Sequence, residues 1–206
     1  MATKVAIIDY DVGNIFSVEQ ACRKVGFDCV VTSEPDAIGS ADAIILPGVG
    51  AFGDAMTRLR ERGLAGAVTA FAGSGRPTLG ICLGMQLMMQ SSEEFGAHEG
   101  LGLVEGSVLR FPDLPGVKIP QIQWNEVRFA ENSRLFAGMA SGAAMYFLHS
   151  YYVAPAAADL LQATANYAGL DYCCALERDN IFAVQFHPER SGEQGLEVFR
   201  NFKNLI

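Results

Sequence analysis

Residues 78–86 read TLGICLGMQ: a short apolar run that closes on Cys82, with Gly80 and Gly84 two residues to either side. A cysteine kept only for packing has no need of those glycines. A nucleophile does, because a sharp strand-to-helix turn of the G-x-nucleophile-x-G kind lifts the side chain out of the sheet while glycines let neighbouring backbone pass close by. On this reading Thr78–Cys82 is a buried parallel strand. Cys82 then stands at the N-terminus of a helix that runs on through LMMQSSEEF (87–95), where free N–H groups favour a thiolate. Most free cysteines are small buried hydrophobes, so the elbow needs support from the rest of the chain.

Outward from this strand, short β-branched runs alternate with helical patterns: VAIID (5–9), a helix over about 15–25, CVV (29–31), AIIL (43–46) and helical stretches across 54–72. This βαβα order predicts a mainly parallel central sheet with helices on both faces. Beyond about residue 100 the texture changes to LVEGSVLRF, IQWNEVRF, AAMYFLHSYYV, LLQATANY and YCCALERDNIFAVQF, with Asp179-Asn180 as a hairpin turn. These predict additional antiparallel strands in the C-terminal half, closed by a helix over 192–206. FPDLPG (111–116) and APAAAD (154–159) read as loops, and the composition does not shift across them. The expected architecture is therefore α/β, one domain over 1–206, and 50% hydrophobic residues suffice to fill its core.

A net charge of −8 with no run of lysine or arginine removes the electrostatic basis for binding nucleic acid or an anionic membrane. The start, MATKVAIIDYD, reads as a first strand and not a signal peptide, and no apolar stretch nears the roughly 20 residues that span a bilayer. Five cysteines at irregular positions (22, 29, 82, 173, 174) argue for a reduced, cytoplasmic protein without a disulfide framework. Cys173 and Cys174 should point to opposite faces of a strand. No C-x-x-C or histidine pair suggests a metal, and no cofactor is expected.

A nucleophile needs a base, and there are three histidines, His98, His149 and His187. His98, in AHEG, reads as surface. His187 follows the apolar run FAVQF, with Pro188 fixing the turn and Glu189 two residues on, close enough to reach the second ring nitrogen and orient the imidazole. The loop LPGVGAFG (46–53) matches G-x-G-x-x-G, but the acidic residue that a dinucleotide site places about 20 positions later is missing from AVTAFAGSGRPTL (67–79). A better use of the loop is to present backbone N–H groups to an oxyanion beside the elbow, with Leu83 N–H as second donor.

Together, GICLGMQ, LPGVGAFG and FHPERSGEQGLEVFRNF resemble the class I (triad) glutamine amidotransferases. Within that group IDYDVGN, SVEQA, AFGDAM and LHSYYV are most similar to the glutaminase subunits of imidazole glycerol phosphate synthases, of histidine biosynthesis. The resemblance runs from Val5 to Phe202 and implies that Cys82 attacks the side-chain amide of glutamine, His187 shuttles the proton and Glu189 orients it. It implies an oxyanion hole from Gly50 and Leu83, and a substrate site from Gln86, Glu94, His149, Ser150 and Tyr151. Gln86 lies one helical turn beyond Cys82, on the same face. For Glu94 the residues alone suggest a solvated helix-end carboxylate.

The resemblance also implies a heterodimer with a (β/α)₈-barrel cyclase, which takes the ammonia through a channel and makes imidazole glycerol phosphate and aminoimidazole carboxamide ribonucleotide. Trp124 and Asn125 match the family's partner-facing segment. Gln121 and Gln123 depart from it, where histidine and glycine are usual, as does Asp11, where glycine is usual. Trp124 has an alternative as ordinary core. Three rivals stay open: a glutaminase serving a different synthase, a silent regulatory binding protein, and another cysteine-elbow α/β protein.

Overall fold

The computed structural model describes residues 3–206. Its first half alternates as the apolar pattern predicts: Lys4–Ile8 (β1), Ile15–Lys24 (α1), Asp28–Thr32 (β2), Pro35–Gly39 (α2), Ala43–Gly48 (β3), Phe52–Glu61 (α3), Leu64–Gly73 (α4), Thr78–Cys82 (β4) and Leu83–Leu87 (α5). The second half is strand-rich: Met89–Ser92 (β5), His98–Glu99 (β6), Val104–Arg110 (β7), Gln121–Phe129 (β8), Ala143–His149 (β9), Tyr151–Pro155 (β10), Leu161–Tyr167 (β11), Leu170–Arg178 (β12) and Ile181–Val184 (β13), then Gly192–Asn204 (α6).

The sheet runs in the order β2-β1-β3-β4-β13-β12-β10-β7-β5-β6, with β11, β8 and β9 leading off β12. β2, β1, β3, β4 and β13 are mutually parallel, while β12 turns antiparallel to β13 at the expected Asp179-Asn180 hairpin. β3 and β4 are buried at every position, as they must be when helices cover both faces. On one face Val5, Ile7, Ile45 and Val184 pack with Val18 and Cys22 of α1 and Phe199 and Phe202 of α6. On the other, Ala6, Ile8, Ile44 and Ala183 pack with Met56 and Leu59 of α3 and Val68 and Phe71 of α4. Cys174 joins the first core and Cys173 the second, so neighbouring cysteines do point opposite ways. α1 buries Val18, Ala21 and Cys22 at helical spacing and carries Arg23 and Lys24 in its last turn, where cations favour the helix dipole.

The structure departs from expectation after the elbow. The helix after Cys82 stops at Leu87, and Met89–Ser92 is a strand paired with β7. The carbonyls a longer helix would need are taken from outside: Leu87 O accepts from Leu101 N–H at 2.8 Å, Met88 O from Val104 N–H at 3.0 Å and Met89 O from Gly102 N–H at 3.2 Å. Ala154 and Pro155, read as loop, likewise belong to β10. Among the described residues no helix is long and apolar enough to cross a membrane.

The glycines of the elbow are required by close approach. A Cβ on Gly84 would lie 1.8 Å from Leu46 O, a backbone atom that cannot turn aside. Gly84→Ala is therefore expected to cost about 3 kcal/mol or more in urea unfolding, the upper part of the range for overpacked cores. A loss under about 1 kcal/mol would show that β3 and α5 are not held in this contact.

Candidate active site

Three adjacent parallel strands end at one edge of the sheet. Gly48 at the end of β3 lies level with Cys82 at the end of β4, which sets the 48–53 loop beside the elbow. On the other side β13 runs with Val184 level with Ile81, so the chain leaving it carries Gln185, Phe186 and His187 past the cysteine. A cavity of about 220 Å³ opens there, lined by Val49, Gly50, Cys82, Leu83, Gln86, Glu94, Pro120, Leu148, His149, Ser150, Tyr151 and His187. That is below the roughly 300–1,000 Å³ of drug-sized pockets, which suits a single amino acid. A larger groove of about 840 Å³ lies at the opposite ends of the strands, where Arg76 and Arg134 are already bonded to backbone carbonyls.

Cys82 has φ +55° and ψ −111°, a conformation that costs a residue with a side chain about 1–3 kcal/mol. Such strain persists only where the surroundings impose it, here the packing of Gly84 on Leu46. The sulfur is nearly buried, 3.9 Å from Leu148 O and 3.7 Å from Gln185 Nε2.

Behind the cavity, His187 Nδ1 meets Glu189 Oε1 at 2.9 Å, with side chains 4% and 1% exposed. Asn14 Nδ2 donates to the same oxygen at 3.4 Å. Pro188 opens a 3₁₀ turn over Pro188–Arg190 that brings Glu189 back under the ring. His187 Nε2 is buried, with the Cys82 sulfur as its neighbour. Burial alone pulls this imidazole down. The Coulomb attraction and hydrogen bonding of Cys82, joined by the Glu189 carboxylate, outweigh burial and hold His187 up at about 10.

The other ionisable groups have different tasks. His149 is fully enclosed and burial pushes it down to about 4, so it is neutral near pH 7 and donates from Nδ1 to Tyr151 O at 2.7 Å. Glu94 is no solvated helix end, since α5 has already stopped. It is buried, which pushes its carboxyl up, and Oε2 accepts Phe52 N–H at 2.6 Å at the start of α3. His98 is half-buried rather than fully on the surface, its ring against Gly53 and Phe52. Gln86 donates from Nε2 to Tyr151 O and Gln185 Oε1, both at 3.0 Å, which leaves its own oxygen to offer an ammonium in the cavity.

With this arrangement in view, the comparisons are specific. The glutamine amidotransferase class-I family matches residues 6–205. Imidazole glycerol phosphate synthase subunit HisH of Moorella thermoacetica is 46% identical over 98% of this chain and 95% of its own length. The HisH protein of Methanothermobacter thermautotrophicus is 46% identical over 98% of both. The chain belongs to the HisH family of class-I glutamine amidotransferases.

Among solved structures, PurLQS from Thermotoga maritima superposes with a TM-score of 0.79 at 21% identity, covering 99% of each chain. A glutamine amidotransferase from Thermotoga maritima gives 0.65 at 16% identity, covering 97% of this chain and 83% of its own. At those identities the likeness establishes the α/β fold, a mostly parallel sheet with antiparallel strands in its C-terminal half, as expected.

Several positions of this HisH-family chain look different once placed. Asp11, where the resemblance leads one to expect glycine, has φ +65°, and its carboxylate is held by Arg62 and, at 3.8 Å, Arg58. Gln121 is fully buried, accepting from Tyr172 OH at 3.0 Å, so it faces the interior and not a partner. Trp124 is 54% exposed, edge-on to Tyr146, which overturns the core alternative. Asn125 Nδ2 donates to Asn166 O at 2.8 Å within the chain. The sequence reading passed over Asn14 and Gln185. The one signal for Gln185 was a lone amide in the apolar run IFAVQF.

Proposed function

We propose that this chain hydrolyses glutamine to glutamate and ammonia through a γ-glutamyl thioester at Cys82, and delivers the ammonia to a barrel cyclase. The supporting observation is the convergence of the strained Cys82 with His187 and Glu189 at one cavity of amino-acid size. The thiolate attacks the amide carbon, and Gly50 and Leu83 N–H groups receive the oxyanion. Protonated His187 gives its proton to the departing nitrogen as the C–N bond breaks, and the C–S bond remains. Neutral His187 then takes a proton from water, whose oxygen attacks the thioester; collapse releases glutamate and the thiolate. Glu189, braced by Asn14, keeps Nε2 aimed at the sulfur. The oxygen of Gln86 and the carboxylate of Glu94 receive the substrate's ammonium, beside the 149–151 backbone.

The partner assignment draws on the HisH relatives, which are named as synthase subunits. It also draws on the apolar residues near the cavity: Ile122 is 57% and Trp124 54% exposed, with Val49 at its lip. Buried Gln121 removes one motive for invoking a different synthase. A partner seated against Val49 could bias the conformation of the Val49-Gly50 loop, raising turnover only when acceptor is present.

The test is glutamate release by the chain alone, then with the cyclase and its nucleotide ligand. Strong stimulation is expected. Trp124→Ala should weaken cyclase binding by roughly 10- to 100-fold, the range of an aromatic anchor. Absence of stimulation would send the ammonia to another synthase, and full affinity in the variant would move the docking surface elsewhere.

A further inference from the structure

Gln185 is fully buried at the point where β13 passes the elbow, and its backbone N–H is fixed to Cys174 O at 2.8 Å. Each hydrogen bond left unmade by a buried amide costs about 1–3 kcal/mol, and in Gln185 both ends have a neighbour. Its oxygen accepts Gln86 Nε2 at 3.0 Å, and its nitrogen lies 3.7 Å from Cys82 Sγ.

The direction of that last contact is forced. Tyr151 O is a carbonyl and can only accept, and His149 Nδ1 already donates to it. The Gln86 atom facing it at 3.0 Å must therefore be the NH₂ group. The same NH₂ faces Gln185, which must answer with Oε1. The Gln185 NH₂ group is thereby turned onto the sulfur, because a flip would set two donors against each other and an oxygen against the thiolate.

We propose that Gln185 is a thiolate-binding residue of this site, a fixed N–H donor to Cys82 Sγ whose orientation is set by Gln86. Besides His187, the sulfur has two neighbours of opposite preference. Leu148 O can only accept a thiol proton, whereas Gln185 Nε2 can only donate. Gln185 therefore favours the charged form that attacks, and stabilises it again when the thioester collapses and sulfur is the leaving group. His187 gives its proton to the departing ammonia and regains one from the attacking water, so its charge changes during each turnover. Gln185 exchanges no proton and stays in place throughout.

This role rests on the glutaminase reading, but its test does not need glutamine. The rate of Cys82 alkylation by iodoacetamide is followed against pH by mass spectrometry of the peptide that carries it. Gln185→Met keeps the bulk and removes the donor. Its alkylation midpoint should rise by about one pH unit, with roughly tenfold slower labelling near neutrality. In glutamate release, kcat should fall roughly 10- to 100-fold with KM within about threefold. Gln185→Glu keeps an acceptor for Gln86 but turns a negative charge on the sulfur, and should move the midpoint further. Gln86→Leu frees the Gln185 amide to turn and should also raise it.

An unchanged midpoint in Gln185→Met at wild-type Tm overturns the proposal. If that variant fails to fold, a wild-type midpoint in Gln185→Glu does the same. A higher KM at constant kcat would mean a packing or substrate role instead. A shifted midpoint in a chain that releases no glutamate would leave Gln185 as thiolate donor and remove the glutaminase reading.

Discussion

Cys82→Ala is expected to abolish glutamate release, a loss of at least roughly 10⁴-fold, while the fold and cyclase binding persist and synthesis from added ammonium salts continues. The size follows from covalent catalysis: without sulfur there is no thioester, and the oxyanion donors have no tetrahedral adduct to hold. Two physical readouts accompany the lost activity. Cys82 supplies the main influences that raise His187, so imidazole titration in the alanine variant should fall well below the value near 10. The strain at φ +55° and ψ −111° also predicts that Cys82→Gly is more stable than Cys82→Ala by about 1 kcal/mol or more, as only glycine adopts that region freely. Residual glutamine hydrolysis in the alanine variant, with every other cysteine blocked, would refute the nucleophile.

His187→Asn should lower kcat by roughly 10²- to 10⁴-fold, since asparagine can still meet Glu189 but can neither protonate the leaving nitrogen nor deprotonate water. A fall under about tenfold would place the base elsewhere. The same variant carries a stability signature. Folding raises His187 from 6.5 to about 10, so across that window the folded chain binds a proton that the unfolded chain has released. The resulting stabilisation is complete below about pH 6.5, shrinks as pH rises and is gone above about 10. Urea unfolding at pH 7 and pH 10 should show a smaller difference in His187→Asn than in the parent, and an equal difference would deny the raised titration.

What the sequence disclosed, and what it hid, divides along a physical line. Buried strands announce themselves as apolar runs and amphipathic helices by their period, so the β1 to β4 alternation and α6 were readable, and the turn at Asp179-Asn180 was marked by its residue types. The end of α5 was not. It is decided by N–H groups of residues 101–104, which no local pattern in LMMQSSEEF reveals. The same error misplaced Glu94, because a carboxylate expected at a helix end is in fact drawn inward to Phe52 N–H. Cys82, His187 and Glu189 could be nominated because their residue types and local turns are distinctive. Gln185 could not, since a buried amide becomes meaningful only when its two neighbours, Gln86 and the sulfur, are known. For β8, sequence resemblance singled out the segment but not which way each side chain points, and Gln121 turns inward while Trp124 turns out.

The order of strands across the centre of the sheet has a consequence for biosynthesis. β4 carries Cys82, yet one of its two neighbours is β13, the final strand of the fold, so the hydrogen-bond ladder beside Cys82 is half empty until that strand inserts between β4 and β12. His187, Glu189 and Gln185 arrive with it. Until β13 is in place, Cys82 lacks the imidazole, carboxylate and amide gathered round it in the finished fold. Assembly of the proposed triad and completion of the sheet are one event.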